Sequence, residues 1–285
     1  MNRIVVGVDG SASADRALRW AVREAEIRGV AIELVHGYGI RPHAVIAGRS
    51  DRDMAEARMD AILEQNRTVL DRVAWDAMVV PLVAGPSAAL LDIGEDAGLI
   101  VVGSRGLGGF GELFLGATSY RTAAHASTPV AVIRDGDDGE VLDGARALAV
   151  GVDDSRASRR ALSWALDEAE RRDVGVTLVH AYHVPSHPSI ATVGAPEQLE
   201  QLRRSAHDQA LDLVDRLLDD IDVARVDVEQ VVGRGSPAGL LLDNAGADRL
   251  LIVGTHGRGA FGRAVFGSVS HQCLHHAAGP VIVVP

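Results

Sequence analysis

Short apolar runs alternate along this chain with longer stretches in which apolar residues recur every third or fourth position. In the first half the runs fall near Ile4–Val8, Ala31–His36, Val79–Val83, Leu99–Gly103 and Val130–Ile133. The periodic stretches fall near Ser13–Arg28, Asp53–Val73, Ser87–Glu95 and Gly116–Ala126. Within Ser13–Arg28, the residues Ala17, Leu18, Ala21, Val22 and Ala25 line one helical face, and Arg and Glu fill the other. Leu99 to Val102 has no polar position, which suits a strand covered on both sides. Strands alternating with helices predict a mostly parallel sheet between two helical layers.

The pattern then repeats. Ile4-Val-Val-Gly-Val-Asp-Gly-Ser11 aligns with Leu148-Ala-Val-Gly-Val-Asp-Asp-Ser155, placing Gly7 on Gly151 and Asp9 on Asp153. The same shift puts Trp20 on Trp164 and His36 on His180. Further along, Val102-Gly-Ser-Arg-Gly106 aligns with Val253-Gly-Thr-His-Gly257, so the second copy carries additional residues between its second strand and this glycine segment. A repeat of this length is a whole domain rather than a solenoid unit. The expected architecture is two tandem doubly wound five-stranded parallel-sheet domains, residues 1–138 and 146–285. They are joined through the polar, glycine-rich stretch between Arg134 and Ala145.

Composition narrows the partners. The 285 residues hold 28 basic and 39 acidic side chains, a net charge of −11, and every basic one is arginine. Such a surface disfavours nucleic acid and anionic membranes. Cys273 is the lone cysteine, so no disulfide framework is possible within the chain. Ile4–Val8 is too short for the apolar core of an export signal, and a cytoplasmic location is expected.

Ligands of doubly wound sheets bind beyond the carboxyl ends of the strands, where strand order reverses. Two segments of each copy lie there. One is the end of the first strand, Gly7-Val-Asp9 and Gly151-Val-Asp153. The other follows the fourth strand and runs Gly103-Ser-Arg-Gly106 to Gly116-Ala-Thr-Ser119, or Gly254-Thr-His-Gly257 to Gly267-Ser-Val-Ser270. Glycine lets a backbone approach a ligand closely, successive free amides form an anion-binding concavity, and the helix that follows presents its amino end. Three phosphate-binding readings compete. A P-loop requires a lysine that this chain lacks. A dinucleotide fingerprint is spelled by Gly106, Gly108 and Gly111 and by Gly257, Gly259 and Gly262, but after the fourth strand instead of the first.

The third reading comes from resemblance. Gly-x2-Gly-x9-Gly-Ser/Thr after a Val-Val-Gly or Ile-Val-Gly strand resembles the ATP-binding motif of the universal stress protein family. Copy two carries Gly254, Gly257, Gly267 and Ser268; copy one carries Gly103, Gly106 and Gly116, with Ala117 in place of the hydroxyl residue. The opening Val-Gly-Val-Asp, the strand ending Leu-Val-His and the closing Pro-Val strand extend the likeness over the whole chain, in the tandem form of mycobacterial-type members. The resemblance implies a Rossmann-like, adenine nucleotide alpha hydrolase-like fold and one ATP site per domain, with Mg²⁺ as a possible companion. It implies that Gly7, Asp9, Gly151 and Asp153 flank the nucleotide and that Gly37 and Ala181 meet adenine through their backbone. It further implies that Val102, Gly103, Gly106, Val253, Gly254 and Gly257 line ribose and phosphates. Gly116, Ala117, Thr118, Gly267, Ser268 and Val269 are implied to hold phosphates. It points to a nucleotide-dependent regulator of stress response or growth that acts through an unidentified protein partner.

Other residues have plainer readings. Asp9 and Asp153 also suit helix capping. His36 and His180 read as satisfied rim histidines, Trp20 and Trp164 as core, and Cys273 as a small apolar group. His271, His275 and His276 cluster but match no metal-site pattern. Arg105, Arg258 and Arg263 either touch phosphate or are solvated. Neither a nucleophile elbow nor a Cys-x-x-Cys pair is present, so at most slow ATP hydrolysis is expected. The apolar last strands, Pro129–Ile133 and Pro280–Val284, are expected to pair the halves edge to edge, and whole chains to form a homodimer.

Overall fold

The computed structural model describes residues 3–39, 50–106, 115–134, 147–184, 196–219, 221, 225–257 and 266–285. The Arg134–Ala145 join beyond Arg134, Gly108, Gly111, Gly259, Gly262, Arg258 and Arg263 lie outside them.

The first half runs β1 (Arg3–Gly7), α1 (Ala12–Arg28), β2 (Ala31–Tyr38), α2 (Asp51–Gln65), α3 (Arg67–Leu70), β3 (Trp75–Pro81), α4 (Pro86–Ile93), β4 (Leu99–Gly103), α5 (Ala117–His125) and β5 (Val130–Ile133). The second runs β6 (Ala147–Gly151), α6 (Arg156–Arg172), β7 (Gly175–Tyr182), α7 (Pro196–Asp219), β8 (Val228–Arg234), α8 (Pro237–Ala245), β9 (Leu250–Gly254), α9 (Ser268–His276) and β10 (Val281–Val284). Within each half the strands order as 3-2-1-4-5 and pair in parallel. Chain direction across the sheet therefore reverses between β1 and β4, and between β6 and β9.

Local chemistry fixes the long helices. Ser11 caps α1 by accepting from the Ala14 amide at 3.1 Å, and Ser155 caps α6 from Ser158 at the same distance. The helix α1 ends on Gly29 at φ 64°, whereas α6 ends on Asp173 at φ 55°, one of the few side chains that tolerate this conformation. The periodic stretch expected as one helix to Val73 is interrupted at Asn66. Its side chain is buried and donates to the Ile62 carbonyl and to Asp15, which ends α2. Strand β3 starts four residues before the expected Val79, at Trp75, because it is an edge strand whose first positions are exposed and carry no alternation.

Both faces of the sheet are covered. Ile4, Val6, Leu99 and Val101 face α1, while Val5, Ile100 and Val102 face α4 and α5, so these strands are apolar without interruption. The anticipated pairing of last strands is present: β5 and β10 run antiparallel, with Ala131 opposite Ile282, and fuse the halves into one ten-stranded sheet. On one face of this seam, α1 meets α6 through a buried charge ring. Arg28 bonds Glu24 and Glu168, and Arg172 bonds Glu168 and Glu24. Burial pushes the Glu168 carboxyl up, but Arg28 and Arg172 outweigh it and hold the group below the usual range. Trp20 is buried core, and the Arg28 guanidinium lies 5.3 Å from the Trp164 ring centroid. No helix among the described residues is long and apolar enough to cross a membrane.

Candidate functional site

A cavity opens at each switch point. The first, about 550 Å³, is walled by the ends of β1, β2 and β4 and the start of α5. Gly7, Asp9, Gly37, Val102, Gly103, Gly106, Gly116, Ala117 and Thr118 all line it. The second, about 930 Å³, is lined by Gly151, Asp153, Ala181, Val253, Gly254, Gly257, Gly267, Ser268 and Val269. Every residue singled out around the strand ends therefore falls on one of two equivalent walls.

Two contacts explain why glycine occupies these loops, and a third closes them. A Cβ on Gly103 would come within 2.6 Å of the Ser13 carbonyl oxygen, and one on Gly254 within 2.7 Å of the Ala157 carbonyl carbon, so β4 and β9 press directly on helix backbones. A Cβ on Gly106 would sit 2.6 Å from Asp9 Oδ2, and one on Gly257 at the same distance from Asp153 Oδ2. The loop thus lies flat against the carboxylate that precedes it in space. Finally, the Gly116 amide donates to the Ser104 carbonyl at 2.7 Å, and Gly267 to Thr255 at 2.8 Å, closing each loop on itself.

Helices α5 and α9 begin with glycine at the cap and have no side-chain acceptor for their first amides, unlike the serine-capped α1, α2, α6 and α8. Their free amino ends face the cavities and carry partial positive charge. Ser119 and Ser270 do not supply the missing cap; each donates its hydroxyl back to the carbonyl of Gly103 or Gly254. Ser13 Oγ accepts from the Arg105 amide at 3.2 Å and so holds the loop to α1.

Asp9 and Asp153 line the cavities and also order the turns before α1 and α6. Asp9 Oδ1 accepts from the Ser11 amide at 2.9 Å and Asp153 Oδ1 from Ser155 at 3.1 Å, fixing the turn before each helix. Neither is the cap itself, which is the serine two residues on. His36 and His180 are buried and bond through Nδ1 to the Val8 and Val152 carbonyls at 2.8 and 2.7 Å, as rim histidines. Arg105 lines the first cavity, where the second has His256.

The histidine cluster belongs to the seam. His271 and His275 stack at 4.5 Å, and Tyr120 from the other half meets His271 and Phe266 edge-on at 5.5 Å each. Burial, with His271, His276 and Arg134 nearby, holds His275 below its usual range. Among the described residues no group of three or more His, Cys, Asp or Glu is placed to hold a metal ion.

Several lining residues escaped the sequence reading: Leu82, Pro86 and Leu90 in the first cavity, and Pro237, Leu241, Phe266 and His271 in the second. Leu90 and Leu241 carried a signal, since each sits on an amphipathic helix that must cover a sheet face. Leu82 carried none.

Comparison with known proteins agrees with this architecture. The profile of the universal stress protein family matches residues 1–134 and 145–285. A universal stress protein of Mycolicibacterium smegmatis is 35% identical over 293 residues, covering 99% of this chain and 96% of the relative. One from Mycobacterium tuberculosis is 32% identical over 295 residues, covering 98% and 95%. Among solved structures, a universal stress protein from Archaeoglobus fulgidus shares the fold with a TM-score of 0.72 at 16% identity, covering 99% of this chain and 98% of that one.

Proposed function

Because the chain belongs to the universal stress protein family, we propose that each domain binds one ATP, and that the protein is a nucleotide-dependent regulator rather than a rapid catalyst. One observation carries the reading. The same cavity is built twice, each time from a glycine-pinned loop and a helix whose first amides lack a side-chain cap. Phosphates suit those amides and the positive end of the helix. Gly37 and Ala181, at the opposite end of each cavity, take the base. Asp9 and Asp153 each commit one oxygen to a turn. Each carboxylate also lies against Gly106 or Gly257, where its charge suits a ribose hydroxyl or Mg²⁺ and would repel a bare phosphate.

Regulation through a protein partner, a cytoplasmic location and pairing of whole chains belong to the same reading. Mass spectrometry of the denatured purified protein, followed by calorimetric titration with ATP and Mg²⁺, tests it. Two ATP per chain is the expected result. Bound NAD, or no uptake of ATP at either cavity, overturns it. Light scattering on the purified chain tests the homodimer separately.

A further inference from the structure

The two cavities differ along α9, where His271 and Gln272 line only the second, and at the end remote from α5 and α9. Strand β3 ends at Pro81 and α4 begins at Pro86, so residues 82–85 connect them. Strand β8 ends at Arg234 and α8 begins at Pro237, so only residues 235–236 connect those. Both connections start from the same anchor. The Leu82 amide donates to the Tyr38 carbonyl at 2.8 Å, and the Gly235 amide donates to the Tyr182 carbonyl at 3.2 Å. Strand register agrees, with Tyr38 opposite Pro81 and Tyr182 opposite Arg234. Leu82 and Gly235 are therefore counterparts, although no sequence alignment by glycines pairs them.

One of these counterparts carries a branched apolar side chain. The other has none, and its φ of 144° is a conformation that side chains avoid. The Leu82 side chain lies across Gly37: a Cβ on Gly37 would come within 2.4 Å of Leu82 Cδ2 and 2.8 Å of Cγ. Ala181, the counterpart of Gly37, keeps its Cβ, and neither residue of the 235–236 connection lines its cavity. The exchange is reciprocal. In the first half the strand gives up a side chain and the connection supplies a larger one; in the second the strand keeps a methyl and the connection gives up everything. Leu82 lines the first cavity, of about 550 Å³; the second, of about 930 Å³, has no lining residue from its connection and also reaches further along α9. Its neighbour Val83 is 85% exposed, so the tip of the connection packs on little else.

We propose that Leu82 is a specificity-determining residue of the first site, and that it makes this site favour nucleotides with a single-ring base relative to the second. The inference rests on the nucleotide reading above, with the base lodged at Gly37 or Ala181. A purine lodged at Gly37 reaches one ring further against Leu82 than a pyrimidine does, so admitting it displaces the side chain and exposes apolar surface. A pyrimidine is one ring smaller and leaves Leu82 in place. The second site imposes no such choice.

Hydrogen exchange read by mass spectrometry on the full chain separates the sites, through peptides spanning 115–120 for the first and 266–271 for the second. Titrations with ATP and with UTP give an ATP-to-UTP affinity ratio at each. The expected ratio is roughly tenfold higher at the second site, the discrimination that a hydrophobic wall of this size supports. Leu82→Ala brings the first site's ratio up to that of the second and leaves the second unchanged; Leu82→Phe widens the gap. Equal ratios in the unmodified protein, or a first-site ratio that neither substitution moves, overturns the role of Leu82 while nucleotide binding stands. Absence of protection by either nucleotide at either site overturns the nucleotide reading and this inference together.

Discussion

The two halves solve the same construction problem with the same backbone and then part company in their side chains. Positions at which main chain presses on main chain are duplicated: Gly103 and Gly254 against α1 and α6, Gly106 and Gly257 against an aspartate, Gly116 and Gly267 closing a loop. Several positions that look into the cavity differ. Ala117 stands where the second half has Ser268, Arg105 where it has His256, and the Gly37–Leu82 pair where it has Ala181 and Gly235. Steric necessity is strongest at Gly103 and Gly254, where any side chain displaces a helix; at the other shared glycines it would crowd an aspartate or a loop carbonyl. A side chain that lines the cavity without supporting a helix is free to drift, because altering it unfolds nothing.

The largest expected effect concerns whether the halves behave as one body at all. Arg172→Met leaves Glu24 and Glu168, both almost wholly buried, short of a guanidinium. Removing one partner of a buried charge set costs about 3–5 kcal/mol, whereas a surface pair would cost at most about 1. Urea unfolding decides between them, and a loss near the lower figure would mean that the ring is not what couples α1 to α6.

Next come the shared glycines. Gly103→Ala and Gly254→Ala each drive a methyl into helix backbone, and each should lose about 1–3 kcal/mol of stability and the nucleotide of its own half only. Loss of both nucleotides from one substitution would break the picture of independent sites.

Ser268→Ala should weaken the second site by about 0.5–1.5 kcal/mol, and Ala117→Ser should tighten the first by a similar amount, since one hydroxyl donor is lost or gained. Separate titration of the two sites measures both. An unchanged affinity in each would show that the first-turn amides alone hold the phosphates.

The smallest effect uses Cys273, whose counterpart is Thr122. Burial pushes the thiol up to about 12, so the fold holds it neutral. Its contribution to stability is complete below the free-thiol value of about 8.5 and is lost as pH rises above it, by less than about 1 kcal/mol at pH 9. Thr122 does not titrate, so only the second half should soften. Thermal unfolding of Cys273→Thr against pH should be flat over the interval where the parent declines.

Much of this was legible in the chain itself, and the reasons are specific. Strands buried on both faces, such as Leu99–Gly103, announce themselves because no position tolerates a polar residue. Pro129 and Pro280 marked the starts of the strands that form the seam. The cavity walls were legible where glycine was forced by contact. Asn66 was not, because a buried polar residue that ends a helix leaves the apolar period intact on either side. Trp75 was not, because an edge strand half in water need not alternate. The equivalence of Leu82 and Gly235 was invisible, since it depends on the register of β2 with β3 and of β7 with β8, and connections of unequal length conceal it.

Joining β5 to β10 within one polypeptide has a consequence for inheritance as well as for mechanics. Two identical free-standing subunits that met along the same edge would part on dilution, and every substitution in one would appear in the other. Here the second half is tethered to the first, so their meeting does not depend on how much protein the cell makes. A single mutation then reaches one cavity and spares its twin, which lets a leucine settle over Gly37 while the space beside Ala181 stays open.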